Sequence, residues 1–159
     1  YLTIPVEKRL EIAKGDQEFT EEELGVSLSK EQIIELAKAE EFILTISENG
    51  FGKRTSAYHY RITNRGGSGI VNMVLSAKTG DVVASMPANM NDEIMLITNN
   101  GKLIRCKLDS VRITGRSTSG VILFKTEKDE RVVSASLIAE ASEEEAQVEE
   151  DIESESGSE

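Results

Sequence analysis

Arginines recur at one spacing along this chain: Arg54 with Arg105, Arg61 with Arg112, and Arg65 with Arg116 are each 51 residues apart. Guanidinium groups hold phosphates and carboxylates through forked, charge-assisted hydrogen bonds, so the chemistry of a repeated set is anion binding rather than bond breaking. An isolated cation on a surface strand means little. Matched pairs mean more, because stacking two units side by side would string Arg54, Arg61, Arg65, Arg105, Arg112 and Arg116 along one rim, with Lys53, Lys102 and Lys107 beside them. Such a rim suits double-stranded nucleic acid, which carries one negative charge per ~1.7 Å of axis. Bending a duplex of ~20–30 bp costs on the order of 1–6 kcal/mol, which several phosphate contacts can offset. With no Trp and 4% aromatic residues, stacking platforms are scarce, and base-specific or single-strand recognition is not expected.

Catalytic groups do not assemble. His59 is the single histidine and its repeat counterpart is Ser110; Cys106, the single cysteine, alternates with Ile104 and Leu108 and reads as a small buried hydrophobe. One Cys and one His make no metal site, so no metal is expected. The run Asn64-Arg65-Gly66-Gly67-Ser68-Gly69 invites a nucleotide-loop reading, but a β-like run, Ile70 to Leu75, follows it and there is no Gly-Lys-Ser/Thr. Gly66, Gly67 and Gly69 instead read as a tight turn that also presents Arg65 and open amides to a phosphate. Gly50, Gly101 and Gly120 mark the other structural turns. No catalytic residue and no cofactor are expected within this chain.

The elements that would position these residues follow from periodicity. From Phe42 the hydrophobic period is two, and the segment repeats: Ile43 meets Ile94, Ile46 meets Ile97, Asn49 meets Asn100, and Arg61-Ile62-Thr63 meets Arg112-Ile113-Thr114. Repeats of about 50 residues with several short strands each are the signature of propeller-like blades. The turn residues divide the first unit into strands over 42–47, 53–63, 69–75 and 82–86, and the second unit follows the same plan. In the second unit Ile104, Cys106 and Leu108 face one way and Leu103, Arg105 and Lys107 the other, leaving arginines on the solvent side. The expected architecture is therefore mainly β: two four-stranded blades, 42–90 and 91–139.

Residues 1–41 read as a helical insert or linker. Pro5 suits a first helical turn, Val6 to Lys14 would be helical up to Gly15, and Thr20 with Glu23 and Ser29 with Gln32 have the capping-box form. The helix opened by Ser29 would run to about Glu40, with Ile33, Ile34 and Ala37 on its packing stripe. Residues 140–159, almost all Glu, Ser, Ala and Gly, read as a disordered acidic tail whose carboxylates would compete with DNA for the basic face.

Charge by segment supports this division. The net charge of −11 argues against nucleic acid, yet residues 42–138 hold 13 basic and 8 acidic side chains, and the acids are concentrated on either side. Hydrophobic residues at 38% suit a modest core of Ile, Val, Leu and Met. A single cysteine permits no intrachain disulfide, no signal peptide is apparent and the apolar runs are too short to span a bilayer, so a cytoplasmic location with no membrane partner is expected, nucleoid-associated where the basic rim meets DNA. The first residue is Tyr1 rather than Met, which fits a piece of a longer protein.

Glu41-Phe42-Ile43-Leu44-Thr45-Ile46-Ser47-Glu48-Asn49-Gly50-Phe51-Gly52-Lys53-Arg54-Thr55 resembles a blade of the C-terminal domain of the bacterial DNA gyrase A protein. Asp92-Glu93-Ile94-Met95-Leu96-Ile97-Thr98, with Gly101-Lys102-Leu103-Ile104-Arg105 and Gly115-Arg116-Ser117-Thr118-Ser119-Gly120-Val121, resembles the last blade of that family. The resemblance covers about residues 41–140, and the helical stretch before it is similar to an insert in alphaproteobacterial members. It implies a β-pinwheel of about six blades, of which this chain would hold the last two, wrapping DNA so that the whole enzyme introduces negative supercoils. It also implies partnership with the gyrase B protein in an A2B2 heterotetramer, with ATP and Mg2+ bound mainly through gyrase B. The breakage-reunion tyrosine of the family belongs to a part absent here, so Tyr1, Tyr58 and Tyr60 do not take that role. Residues 64–69 echo the family's first-blade box only in part, with Asn64 and Ser68 where the box has Gln and a basic residue. The corresponding C-terminal domain of topoisomerase IV and a propeller-type protein-interaction module are the alternatives.

Overall fold

A computed structural model describes residues 1–16 and 18–138; the acidic tail inferred from the sequence lies outside them. Helix α1 covers Val6–Lys14 and stops at Gly15, whose φ of 80° closes the left-handed C-cap. Thr20 and Ser29 complete capping boxes with Glu23 and Gln32 and open α2 (Glu21–Leu24) and α3 (Lys30–Lys38). Ile12, Ile33 and Ala37 close α1 against α3, with Ile4 and Phe19 in the same small core. Inside this helical cluster the Arg9 guanidinium pairs with Glu40, whose side chain is 2% exposed, and the Tyr1 hydroxyl donates to the same carboxylate at 2.8 Å. Tyr58 ties the cluster to the β region: its hydroxyl donates to the Leu36 carbonyl at 3.0 Å and its ring stands edge-on to Tyr1.

Seven strands follow among the described residues: β1 (Phe42–Ser47), β2 (Phe51–Ser56), β3 (Val82–Ala88), β4 (Glu93–Thr98), β5 (Leu103–Lys107), β6 (Val121–Ile122) and β7 (Val132–Ile138). They form two antiparallel sheets, ordered β3-β1-β2-β6 and β5-β4-β7. Each repeat contributes a hairpin and a returning strand, and both carry a register shift at the same place, between Ile46 and Ser47 and between Ile97 and Thr98. Leu44, Ile46, Ile94, Leu96, Leu108, Val111 and Val132 are buried in one core that spans the two repeats. Each such side chain withdrawn from water contributes roughly 1.5–3 kcal/mol.

Two expectations are corrected. The second strand ends at Ser56 rather than near residue 63, and a 3-10 turn, Ala57–His59, follows it. Residues 69–75 form no strand, and the outer strand of the first sheet is β6, supplied by the second repeat. The reason is the requirement that a strand's amides and carbonyls find partners. Residues 112–122 reach β2: Arg54 and Thr114 donate their amides to the carbonyls of Arg112 and Arg54 at 2.9 and 2.8 Å. Among the described residues no strand edge stands beside the matching segment of the first repeat, and Ile62 there is 102% exposed. Among them, too, no helix is long and apolar enough to cross a membrane.

Candidate nucleic-acid interface

Beyond the 3-10 turn, residues 61–69 curl around a shallow depression, with Gly66 and Gly69 at φ of 87° and 72°. Gly67 keeps an ordinary φ, so the left-handed residues of this turn are Gly66 and Gly69 alone. Arg61 and Arg65 project from it exposed, and among the described residues neither meets a carboxylate. His59 is also exposed, and among the described residues no cluster of metal-binding side chains occurs.

In the second repeat the matching turn does not float. Arg116 donates Nη1 to the Val71 carbonyl at 2.8 Å, Ser119 donates Oγ to the Val74 carbonyl at 3.0 Å, and Val74 returns its amide to the Thr118 carbonyl at 3.0 Å. These bonds lay residues 115–120 across the first repeat. Arg112 stays exposed, and Arg116 is half-buried.

Lys53 and Arg54 are the main correction. The alternation that puts Arg105 on a solvent face suggests the same for Arg54, but Lys53 is 0% and Arg54 3% exposed. Lys53 Nζ donates to the carbonyls of Gly115 and Arg116 at 2.9 and 2.7 Å and approaches Thr118 Oγ1 at 3.4 Å. Arg54 Nε donates to the Val111 carbonyl at 2.8 Å, and Nη1 lies 2.9 Å from Met90 Sδ. Both cations are consumed in joining the repeats and do not reach the rim. Burial is the main reason the Lys53 ammonium is held down to about 8, with the nearby Arg116 charge adding to it. Burial lowers Arg54 as well, opposed by Asp109.

The remaining cations divide by their partners. Lys102 sits between Glu127 and Glu130 at 3.3 and 3.4 Å, and the Glu127 hydrogen bond foremost raises its ammonium. Arg105 pairs with Glu93 across the β4–β5 hairpin. Lys107 is exposed with no ion pair among the described residues. Of the cations singled out from the sequence, Arg61, Arg65, Lys107 and Arg112 are therefore exposed with no ion pair among the described residues, with Arg116 half-buried. Cys106 is half-buried and burial pushes its thiol up, away from reactive thiolate.

Sequence reasoning passed over Lys78, Lys125 and Arg131. They line a hollow between the repeats with Asn49, Phe51 and Ile122, and Lys78 Nζ lies 5.6 Å from the centre of the Phe51 ring. Glu127, Asp129 and Glu130 share that hollow, so its charge is mixed. The turn Lys78-Thr79-Gly80 was the available signal for Lys78.

Two sheets built from successive repeats, with the outer strand of the first supplied by the second, define a β-propeller-type repeat module whose open cations stand mainly on loops. The family model described as "DNA gyrase C-terminal domain, beta-propeller" matches residues 41–89 and 92–139, and the chain belongs to that family. The DNA gyrase A protein of Rickettsia prowazekii is 71% identical over 145 residues, covering 91% of this chain and 16% of that protein. The gyrase A protein of Granulibacter bethesdensis is 51% identical over 115 residues, 72% of this chain and 12% of its own length. The chain thus spans about one sixth of the length of its Rickettsia relatives. A solved gyrase A C-terminal domain superposes with a TM-score of 0.59 at 27% identity, over 64% of this chain and 35% of that one. A topoisomerase IV C-terminal domain superposes with a TM-score of 0.60 at 22% identity, over 69% and 35%, which is a likeness of fold.

Proposed function

We propose that this chain is the DNA-wrapping part of a type IIA topoisomerase of the gyrase kind, binding and bending duplex DNA so that the holoenzyme introduces negative supercoils. The observation that carries this reading is that Arg61, Arg65 and Arg112 stand exposed, and without a carboxylate partner among the described residues, on equivalent loops of two repeats joined by shared strands. Exposed guanidinium groups without a carboxylate partner are available to phosphates, whereas cations sealed against carboxylates are not. Family membership and relatives that are DNA gyrase A proteins support the same conclusion.

On this reading the chain supplies no catalytic group and no cofactor site. Strand breakage belongs to the rest of the gyrase A protein, ATP and Mg2+ act mainly through gyrase B in an A2B2 assembly, and the protein works in the cytoplasm on the nucleoid. Titration of a long duplex at increasing salt tests the reading. Affinity should fall linearly on a log–log plot, with a slope of ~0.9 per phosphate neutralised. Binding that is absent or insensitive to salt would instead favour a protein-interaction module. Strong binding without supercoiling by the assembled enzyme would favour a topoisomerase IV component.

A further inference from the structure

Three oxygens of the turn of residues 115–120 converge on one buried ammonium, while the Thr118 carbonyl accepts from the Val74 amide. The carbonyls of Gly115 and Arg116 and the hydroxyl of Thr118 all lie within 3.4 Å of Lys53 Nζ, beneath the turn. Thr118 Oγ1 also bonds the Gly115 carbonyl at 2.9 Å and lies 2.8 Å from Thr114 Oγ1. Among the described residues no backbone carbonyl accepts from the amides of residues 115–120. An ammonium is a compact point charge with three donors, so it can hold several oxygens at once where an apolar side chain would hold none.

We propose that Lys53 is a positioning residue for the phosphate-facing turn of the second repeat: its buried ammonium draws oxygens of the turn inward and leaves the amides, and the donors of the Arg116 guanidinium other than the Nη1 that holds the Val71 carbonyl, for a DNA phosphate. The inference rests on the DNA-binding reading and deepens it. It also explains why a lysine is tolerated at a fully buried place with no carboxylate partner among the described residues. Burial of an uncompensated charge is costly, and here backbone and hydroxyl oxygens replace its water. Ile104, the repeat counterpart of Lys53, has no further repeat laid over it among the described residues, and no cation is placed there.

The test is a double-mutant cycle in the intact chain, read by binding to a long duplex. Lys53→Met keeps the volume without the charge and should bind about tenfold more weakly, the loss of one charge-assisted contact. Arg116→Gln should cost affinity in the native background and almost nothing further in the Lys53→Met background. Lys53→Arg should recover most of the binding. Affinity of Lys53→Met within about twofold of the native chain, or losses that multiply in the double variant, would overturn the proposal. If Lys53→Met fails to fold, the same cycle is run from Thr118→Val, which removes one of the three acceptors, and multiplying losses again refute it. A native chain that shows no salt-dependent DNA binding defeats the DNA reading alone. The turn is then judged by amide NMR, where shifts on Lys53→Met concentrated in residues 115–120 support the positioning role and an unchanged turn refutes it.

Discussion

Phe124 sits with its backbone directly on Gly50: its amide donates to the Gly50 carbonyl at 3.2 Å, and a Cβ on residue 50 would overlap the Phe124 carbonyl oxygen. Gly101 occupies the equivalent turn of the second repeat with nearly the same φ, 79° against 78°, and a Cβ there would meet nothing within 4 Å. Identical turn chemistry therefore serves two different purposes. Gly101→Ala is expected to cost only the left-handed strain, ~1–2 kcal/mol. Gly50→Ala adds a backbone clash at the seam between repeats and should cost more than ~3 kcal/mol. Denaturant midpoints of the two variants check this, and equal shifts would contradict it.

Charge reversal separates rim cations from bystanders. Arg61→Glu, Arg65→Glu and Arg112→Glu together should weaken duplex binding by at least ~100-fold and flatten its salt dependence. Lys14→Glu with Lys38→Glu, which alters exposed cations of the helical cluster, should change affinity far less. Comparable losses in both sets would place the interface elsewhere. Arg9 is unsuitable as a control because it is buried against Glu40.

Lys53 gives a pH dependence with a defined sign. Its folded-state value, about 8, lies below the ordinary lysine value of 10.5, so the unfolded chain holds the extra proton through that interval. Its contribution to stability is fully present above the unfolded value and is lost as pH falls through about 8. Unfolding free energies of the native chain minus those of Lys53→Met should therefore rise from pH 8 to 10.5. A difference that stays level across that window would show that the lysine is not protonated at lower cost in the unfolded chain.

Removing the Arg9 guanidinium leaves the buried Glu40 carboxylate without its counter-charge, with the Tyr1 hydroxyl still donating to it. Arg9→Met should destabilise the helical cluster by ~3–5 kcal/mol, and adding Glu40→Gln should restore much of the loss. Chemical unfolding followed at the α1 and α3 amides would report it. A small cost for Arg9→Met alone would mean that water reaches Glu40.

Much of this architecture is legible in the order of residues. Thr20 and Ser29 announce helix starts because their hydroxyls act within three residues, and those caps are present. Phe42–Ser47 and Val82–Ala88 are strands near their expected bounds for the same local reason: alternation and flanking turns act over a few positions. Residues 69–75 look equally strand-like and are not a strand, because pairing needs a neighbour that alternation does not specify. Among the cations, Arg61 and Arg112 are exposed but stand on loops rather than on the long second strands that the repeat suggests, and Arg65 is exposed in its glycine turn. Lys53 and Arg54 carry the same sequence signal and lie inside.

The repeat itself, its turns, its helix caps and the basic character of residues 42–138 were determined by sequence alone, since each depends on residue types at short separations or on counting. Tertiary structure decided which cations face solvent. That outcome depends on whether another repeat lies over a strand, and the covering segment for β2 comes from residues 112–122, roughly one repeat of about 50 residues or more further along. No local period encodes that distance. Arg54 and Arg105 therefore share a place in the repeat but not an environment, one covered by the next repeat and the other on β5, at the open edge of its sheet.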